Sequence, residues 1–283
     1  MKLKYYIYIW LILTLFLGWE YYAIRSGSSL SVISLLHSKF HWKWKLTTEE
    51  GKFLSYSWGV IGLGLMVVMN VYSLRKRLLS MSKWGRIGSW LHFHIFCGLL
   101  GPTFIIFHSD FKVRGLVAIS FWCMMISATS GIIGRYLYIQ VLGKMQEHRK
   151  KTQAWERRIL RCLKHFKVPI DEEEVDMMKS KAVQFVGIPR RFLEGKGAPL
   201  LLIFLKSIWG DFKHLFVEPS VPSYWPKESR YLLGRYGVEM KRQLLLGQFQ
   251  RLLGYWHAFH FPFAIFMYIT AVLHVLAVTL FQA

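Results

Sequence analysis

The stretch WLHFHIFCGLLGPTFIIFH, residues 90–108, has the composition of a membrane-spanning helix yet carries three histidines, His92, His94 and His108. Imidazole in hydrocarbon is costly unless it is coordinated or hydrogen-bonded, so each of these residues asks for a partner. His94 and His108 are 14 positions apart. Fourteen steps of ~100° bring a helix within ~40° of four whole turns while it rises ~21 Å. The pair therefore shares one face, with its members toward opposite sides of the bilayer. His92 lies ~160° from His108 by the same rotation and points elsewhere.

Working outward, the chain of 283 residues is 53% hydrophobic and carries 37 Lys and Arg against 16 Asp and Glu. That balance reads as an apolar body with basic flanks. Runs long enough to cross ~30 Å of hydrocarbon occur at residues 5–24, 55–74, 88–108, 115–141 and 255–280. The expected fold is an all-α membrane protein with five transmembrane helices. The first run follows Lys2 and Lys4 in the manner of a signal peptide, but its long core with Tyr and Trp at both ends reads as an uncleaved anchor.

Lys and Arg counts set the expected orientation. With the N-terminus inside, the cytoplasmic side receives Lys2 and Lys4, the five basic residues of RKRLLSMSKWGR, and 22 more in residues 144–254. The outer side receives five in the first loop, two in SDFKVRG and none in the C-terminal tail. A cytoplasmic N-terminus and an outer C-terminus follow. Basic residues packed beside membrane spans are explained by topology and anionic headgroups, and nucleic acid is not an expected partner.

The decisive comparison is with the fifth span. His260 and His274 in HFPFAIFMYITAVLH repeat the 14-residue spacing of His94 and His108. Spans three and five run in the same direction, so His94 should be level with His260 near the cytoplasm and His108 with His274 near the outside. His257, ~100° from His274, is a weaker alternative to His260. Each level offers two imidazoles, which suits the axial ligation of an iron porphyrin in a helical bundle. A bare zinc ion would want three or four ligands at one level. The three cysteines, Cys97, Cys123 and Cys162, form no CxxCH motif, so two haems of b type, held non-covalently, are expected.

Room for the macrocycles is expected at Gly98 and Gly101 on the third span and Gly131 and Gly134 on the fourth, with Gly59, Gly62 and Gly64 on the second. Small residues also serve ordinary helix contacts. Pro102 and Pro262 are expected to kink the ligand-bearing helices. Arg135 in GIIGRY is the expected cation for a haem propionate at the inner level, while Lys112 and Arg114 flank the outer level.

Residues 144–254 are too long for a plain connection. HRKKTQAWERRILRCLKHF reads as a basic amphipathic helix ending before Pro169, and DEEEVDMMKSKAVQFV as a second, capped by Asp171. APLLLIFLKSIWGDFKHLF is too charged to span comfortably and reads as a helix in the interface plane. VEPSVPSYWPKES is a loop, after which a helix leads into the last span. The organisation expected is thus residues 1–54 as anchor and outer loop, 55–143 as the first part of a four-helix dihaem bundle, 144–254 as a helical cytoplasmic insertion, and 255–283 as the final ligand-bearing helix. His37 and His41, beside Trp42 and Trp44, receive no role.

The paired histidines on two helices separated by one resemble the dihaem four-helix core of cytochrome b. They are also similar to the transmembrane domain of ferric reductases and NADPH oxidases. The resemblance covers spans two to five. It implies that His94, His108, His260 and His274 are axial ligands of two b-type haems, and that the chain carries electrons across the bilayer or between a quinone and a partner redox protein. No dinucleotide fingerprint occurs here, so the expected soluble partner is a flavoprotein, an iron-sulfur protein or a cytochrome, steered by the basic segment. The alternative class is a transporter or channel for metal ions or protons using the same histidines. It would want intramembrane carboxylates, and Glu20 and Asp110 stand only at span ends. Whether the chain is an enzyme depends on the oxidoreductase complex that it would serve.

Overall fold

A computed structural model describes residues 3–41, 43–78, 83–115, 117–143, 145–188 and 199–281. Lys2, Trp42 and Lys144, and residues 189–198, lie outside the described residues. Every regular element described is a helix: α1 Leu3–Arg25, α2 Val32–Lys39, α3 Phe53–Met69, α4 Val71–Arg77, α5 Ile87–His108, α6 Val117–Val141, α7 Met145–His165, α8 Glu172–Phe185, α9 Leu200–Phe216 and α10 Glu228–Phe281. Five stretches are long and apolar enough to cross a bilayer: α1, α3 with α4, α5, α6 and α10. Pro102 and Pro262 both stand inside continuous helices.

Chain contacts separate two units, Met1–Ile132 with Phe259–Ala283, and Ile133–Ala258. In the first, α3 and α5 pack most extensively and α1 lies against α5. Gly62 and Gly101 explain the close approach. A Cβ on Gly62 would come within 3.0 Å of the Gly101 carbonyl oxygen, and one on Gly101 within 2.8 Å of Met66 Cγ. The Trp10 indole donates to Thr103 at 3.1 Å, tying α1 to α5. Met66, Met124 and Met267 form a buried cluster, and Ser120 on α6 donates to the Met267 carbonyl on α10 at 3.3 Å.

Two polar knots finish this unit at its expected outer side. Glu20, fully buried, accepts from Ser31 Oγ at 2.7 Å and from the Val32 and Ile33 amides at 2.8 and 3.1 Å. An acidic side chain at a helix N-terminus is favourable, and this one nucleates α2, a short helix the loop composition did not announce. The second knot is Asp110. Its carboxylate accepts from Tyr21, from Arg25 at 3.0 Å and from Lys112 at 2.8 Å. Asp110 and Phe111 both have positive φ, 50° and 60°. Such backbone costs of order 1–3 kcal/mol per residue unless neighbours enforce it, and the Asp110 bonds supply that enforcement.

In the second unit Asp171 caps α8 by accepting from the Glu174 amide at 2.7 Å, as the sequence pattern predicts. Glu174 in turn accepts from Tyr224 at 3.1 Å and from the Trp225 indole, so the acidic run caps a helix and anchors the proline-punctuated loop. One core joins the ends of α6 and α8 to α9 and α10 through Leu137, Val186, Ile203, Leu245 and Phe249. A second joins α7, α8 and α10 through Ile159, Leu163, Met178 and Leu233.

Burial of Asp110 opposes its charge, but the bonds from Lys112 and Tyr21 and the fields of Lys112 and Arg25 outweigh it, holding the carboxyl below its ordinary value. A carboxylate with a depressed native pKa adds stability above its unfolded value, lost as pH falls through the native one. Acidification below about pH 4 should therefore loosen the α5–α6 turn before the helices melt. Protection of the amides of residues 109–115 relative to the intrinsic exchange rate at each pH should fall in acid in the wild type, and Asp110→Asn should show the same low protection already at pH 7.

Candidate functional site

Each histidine of the first pair is held by a backbone carbonyl of the second span. His108 Nδ1 lies 2.8 Å from the Ser55 carbonyl oxygen, while Ser55 Oγ donates back to the His108 carbonyl at 2.8 Å. His94 Nδ1 lies 3.0 Å from the Met69 carbonyl oxygen. A carbonyl only accepts, so both Nδ1 atoms carry the proton and both Nε2 atoms hold the lone pair. Gly59 makes the outer arrangement fit, since a Cβ there would come within 2.8 Å of His108 Nδ1.

The carbonyl that His94 uses stands at a helix break. α3 ends at Met69 and α4 begins at Val71, with Asn70 between them. Asn70 Nδ2 donates to the Met66 carbonyl at 3.0 Å and to Tyr268 Oη at 2.7 Å, and Tyr268 donates to the Met66 carbonyl. Interhelical bonds of this kind in membranes are worth about 0.6–2 kcal/mol each, and here they join α10 to the break. The Tyr72 ring also lies 5.3 Å from the His94 ring, centroid to centroid.

On α10, His260 Nδ1 lies 2.7 Å from Ser130 Oγ. Ser130 spends its own proton on the Ser127 carbonyl at 2.9 Å, so Ser130 accepts from His260 and the lone pair again falls on Nε2. His274 on α10 is half-buried.

The two levels can be placed against a common layer. Met66 packs on Gly101 and clusters with Met267. Gly101 is seven residues from both His94 and His108, and Met267 is seven from both His260 and His274. Seven residues of helix rise ~10 Å. On each of the two helices one histidine therefore stands about that far before the methionine layer and the other about as far beyond it.

The glycines divide. Nothing stands within 4 Å of a Cβ built on Gly131 or on Gly64, and Met69 Sδ is 3.5 Å from one on Gly98. The room expected beside Gly101 is taken by Met66, and beside Gly134 by the Trp256 ring. Both are packing glycines. Arg135 belongs to the second unit. Its buried Nε has no hydrogen-bond partner among the described residues, and its guanidinium lies 5.8 Å from the Tyr138 ring. Lys112 is committed to Asp110, with Glu50 at 3.9 Å. His92 is half-buried and His257 exposed. His37 Nε2 lies 2.6 Å from the Trp44 carbonyl oxygen.

The donor set is imidazole alone, with Nδ1 of His94, His108 and His260 bonded, a set that suits the axial nitrogens of a planar macrocycle. Sequence reasoning missed Ser55, Asn70, Ser130 and Tyr268. Their signal was faint but present: a polar residue inside an apolar span needs a partner as a histidine does. Comparisons with protein-family models, with curated proteins and with solved structures found no match.

Crowding at Gly59 and openness at Gly64 make a paired test. Gly59→Ala must push the His108 ring and should cost about 1–3 kcal/mol, whereas Gly64→Ala should be neutral or stabilise by up to about 1 kcal/mol. Thermal unfolding of both variants in one detergent measures the difference.

Proposed function

We propose that this chain is an integral membrane b-type dihaem cytochrome, related in design to the cytochrome b and ferric reductase transmembrane cores, that moves electrons across the bilayer or between a quinone and a partner redox protein. What supports the reading is the matched 14-residue spacing of His94 with His108 and of His260 with His274 about one methionine layer, with Nδ1 bonded on three of the four. Bonding at Nδ1 fixes the ring orientation and raises the basicity of Nε2, which is what an imidazole that serves iron requires. A b-type haem, when bound, supplies a reversible one-electron iron centre.

The chain's own residues account for the rest. Ser55, Asn70 with Tyr268, and Ser130 orient the imidazoles. Gly59 lets α3 approach the His108 ring, and the apolar spans exclude water and lower the local dielectric. The charge pattern puts the N-terminus and residues 144–254 on the cytoplasmic side, where 22 Lys and Arg would steer an acidic flavoprotein, iron-sulfur protein or cytochrome to the membrane. A quinone dissolved in the bilayer is the second candidate exchange partner.

The purified protein should give a reduced-minus-oxidised spectrum of b type, with two haems per chain by pyridine haemochrome. His94→Ala or His260→Ala should remove one haem, and His108→Ala or His274→Ala the other. A colourless protein, reconstituted with haemin and still colourless, overturns the proposal. Ser130→Ala should retain both haems and move the midpoint potential of the one lost in His260→Ala. A potential unchanged in that variant would leave Ser130 with a packing role alone.

A further inference from the structure

Helix α9 has its polarity inside out. Leu201, Leu205, Trp209, Phe212, Leu215 and Phe216 are each more than half exposed and recur at the spacing of one helix face. The opposite face carries Ser207 and Gly210, both buried, and Asp211. Gly210 lies against the Val186 backbone, and Gly187, at φ +72°, would place a Cβ within 2.7 Å of the Lys206 carbonyl oxygen. So α9 is fastened by a face on which Ser207, Gly210 and Asp211 join the core residue Ile203, with Phe204 partly buried beside it, and offers the other large apolar side chains outward.

The fastening is a buried polar cluster. Lys241 on α10, with no exposed surface, pairs with Asp211 and reaches the Ser207 carbonyl at 3.4 Å. The second Asp211 oxygen accepts from Tyr136 and from Gln140, both on α6 and both at 2.9 Å, and Tyr136 Oη lies 2.9 Å from Ser207 Oγ. Every polar atom named here has a partner, which a buried charge requires. Tyr136 and Gln140 stand in the last turns of a membrane-spanning candidate, Val117–Val141. What they hold is therefore held at the end of a span.

We infer that α9 is embedded in the bilayer interface, with its exposed apolar face in the acyl-chain boundary beside the inner end of α6. Three observations select lipid as the occupant. On α6, Ile133 and Ile139, three residues before and after the Tyr136 that bonds α9, are exposed as well. A contiguous apolar patch of this kind on a water-facing helix would be a liability. Lys206 and Lys213 are exposed on the same helix, as cations that reach anionic headgroups do. The sequence pattern placed α9 in the interface plane. The structure adds which face goes in and the ion pair that holds the other face. The inference stands apart from the haem reading.

The test uses the full chain in nanodiscs of phosphatidylcholine and phosphatidylglycerol at 3:1. In a background of Cys123→Ala and Cys162→Ser, nitroxides at Leu205→Cys, at Phe212→Cys and at the control Glu173→Cys are compared by power saturation. The ratio of oxygen to nickel-chelate collisions should shift to membrane values at 205 and 212 and stay at aqueous values at 173. Aqueous values at all three sites overturn the inference, and so does protection from both agents at 205 and 212, which would mean a protein cover. A second arm needs no substitution: the wild-type protein is irradiated with a phospholipid carrying a carbene precursor in its acyl chain. Label should appear in residues 200–216 as well as in the spans. Label confined to the spans overturns the inference.

Discussion

An N–H group in hydrocarbon must find an acceptor, and this requirement organises the helical bundle around its histidines. Water is not there to take the bond, so each imidazole proton is paid for by a carbonyl or hydroxyl of the neighbouring helix. For His108 the acceptor is Ser55 O, for His94 it is Met69 O, and for His260 it is Ser130 Oγ. Once Nδ1 is committed, the ring plane and the direction of Nε2 follow. A carbonyl oxygen has two lone pairs, so Ser55 O serves His108 from inside α3, while the carbonyl that His94 takes sits beside the break at Asn70, which is stitched to α10 through Tyr268.

The methionine layer performs a different task. Met66, Met124 and Met267 fill the middle of the bundle with flexible, polarizable chains that adapt to irregular gaps. Because Met66 rests on Gly101 and clusters with Met267, the layer fixes the heights of α5 and α10 relative to each other. A slip of one helical turn, ~5.4 Å, would destroy that packing and would shift the α10 histidines against those of α5 by the same amount.

Much of the fold was legible because the signals are long. Apolar runs of some twenty residues gave the five spans, and Asp171 ahead of Glu172 and Glu173 announced the start of α8. The 14-residue spacing of His94 with His108 and of His260 with His274 placed each pair on a face without any structure. Three features were not legible, and each depends on contacts across the sequence. The second span looked continuous, yet it breaks at Asn70, since one polar residue in an apolar run says nothing of the Tyr268 hydroxyl 198 positions away. The loop before Trp44 hid α2, whose N-terminus is satisfied by Glu20 from another helix. Glycines read as space: Gly131 is open, but Gly101 and Gly134 are filled by Met66 and Trp256, and composition cannot distinguish a cleft from a tight crossing.

The way the imidazoles are oriented has a consequence for how such a site assembles. On α5 the orienting groups come from α3, and on α10 the His260 partner comes from α6, so a helix that bears no proposed ligand fixes each of these rings. Orientation is then settled by folding alone. Preorganisation of this kind shifts the entropic cost of fixing the side chains from binding to folding. It also separates two properties that are often treated as one. The bonds at Nδ1 govern ring direction and ligand basicity, while the methionine layer governs depth. A change to one set should leave the other in place.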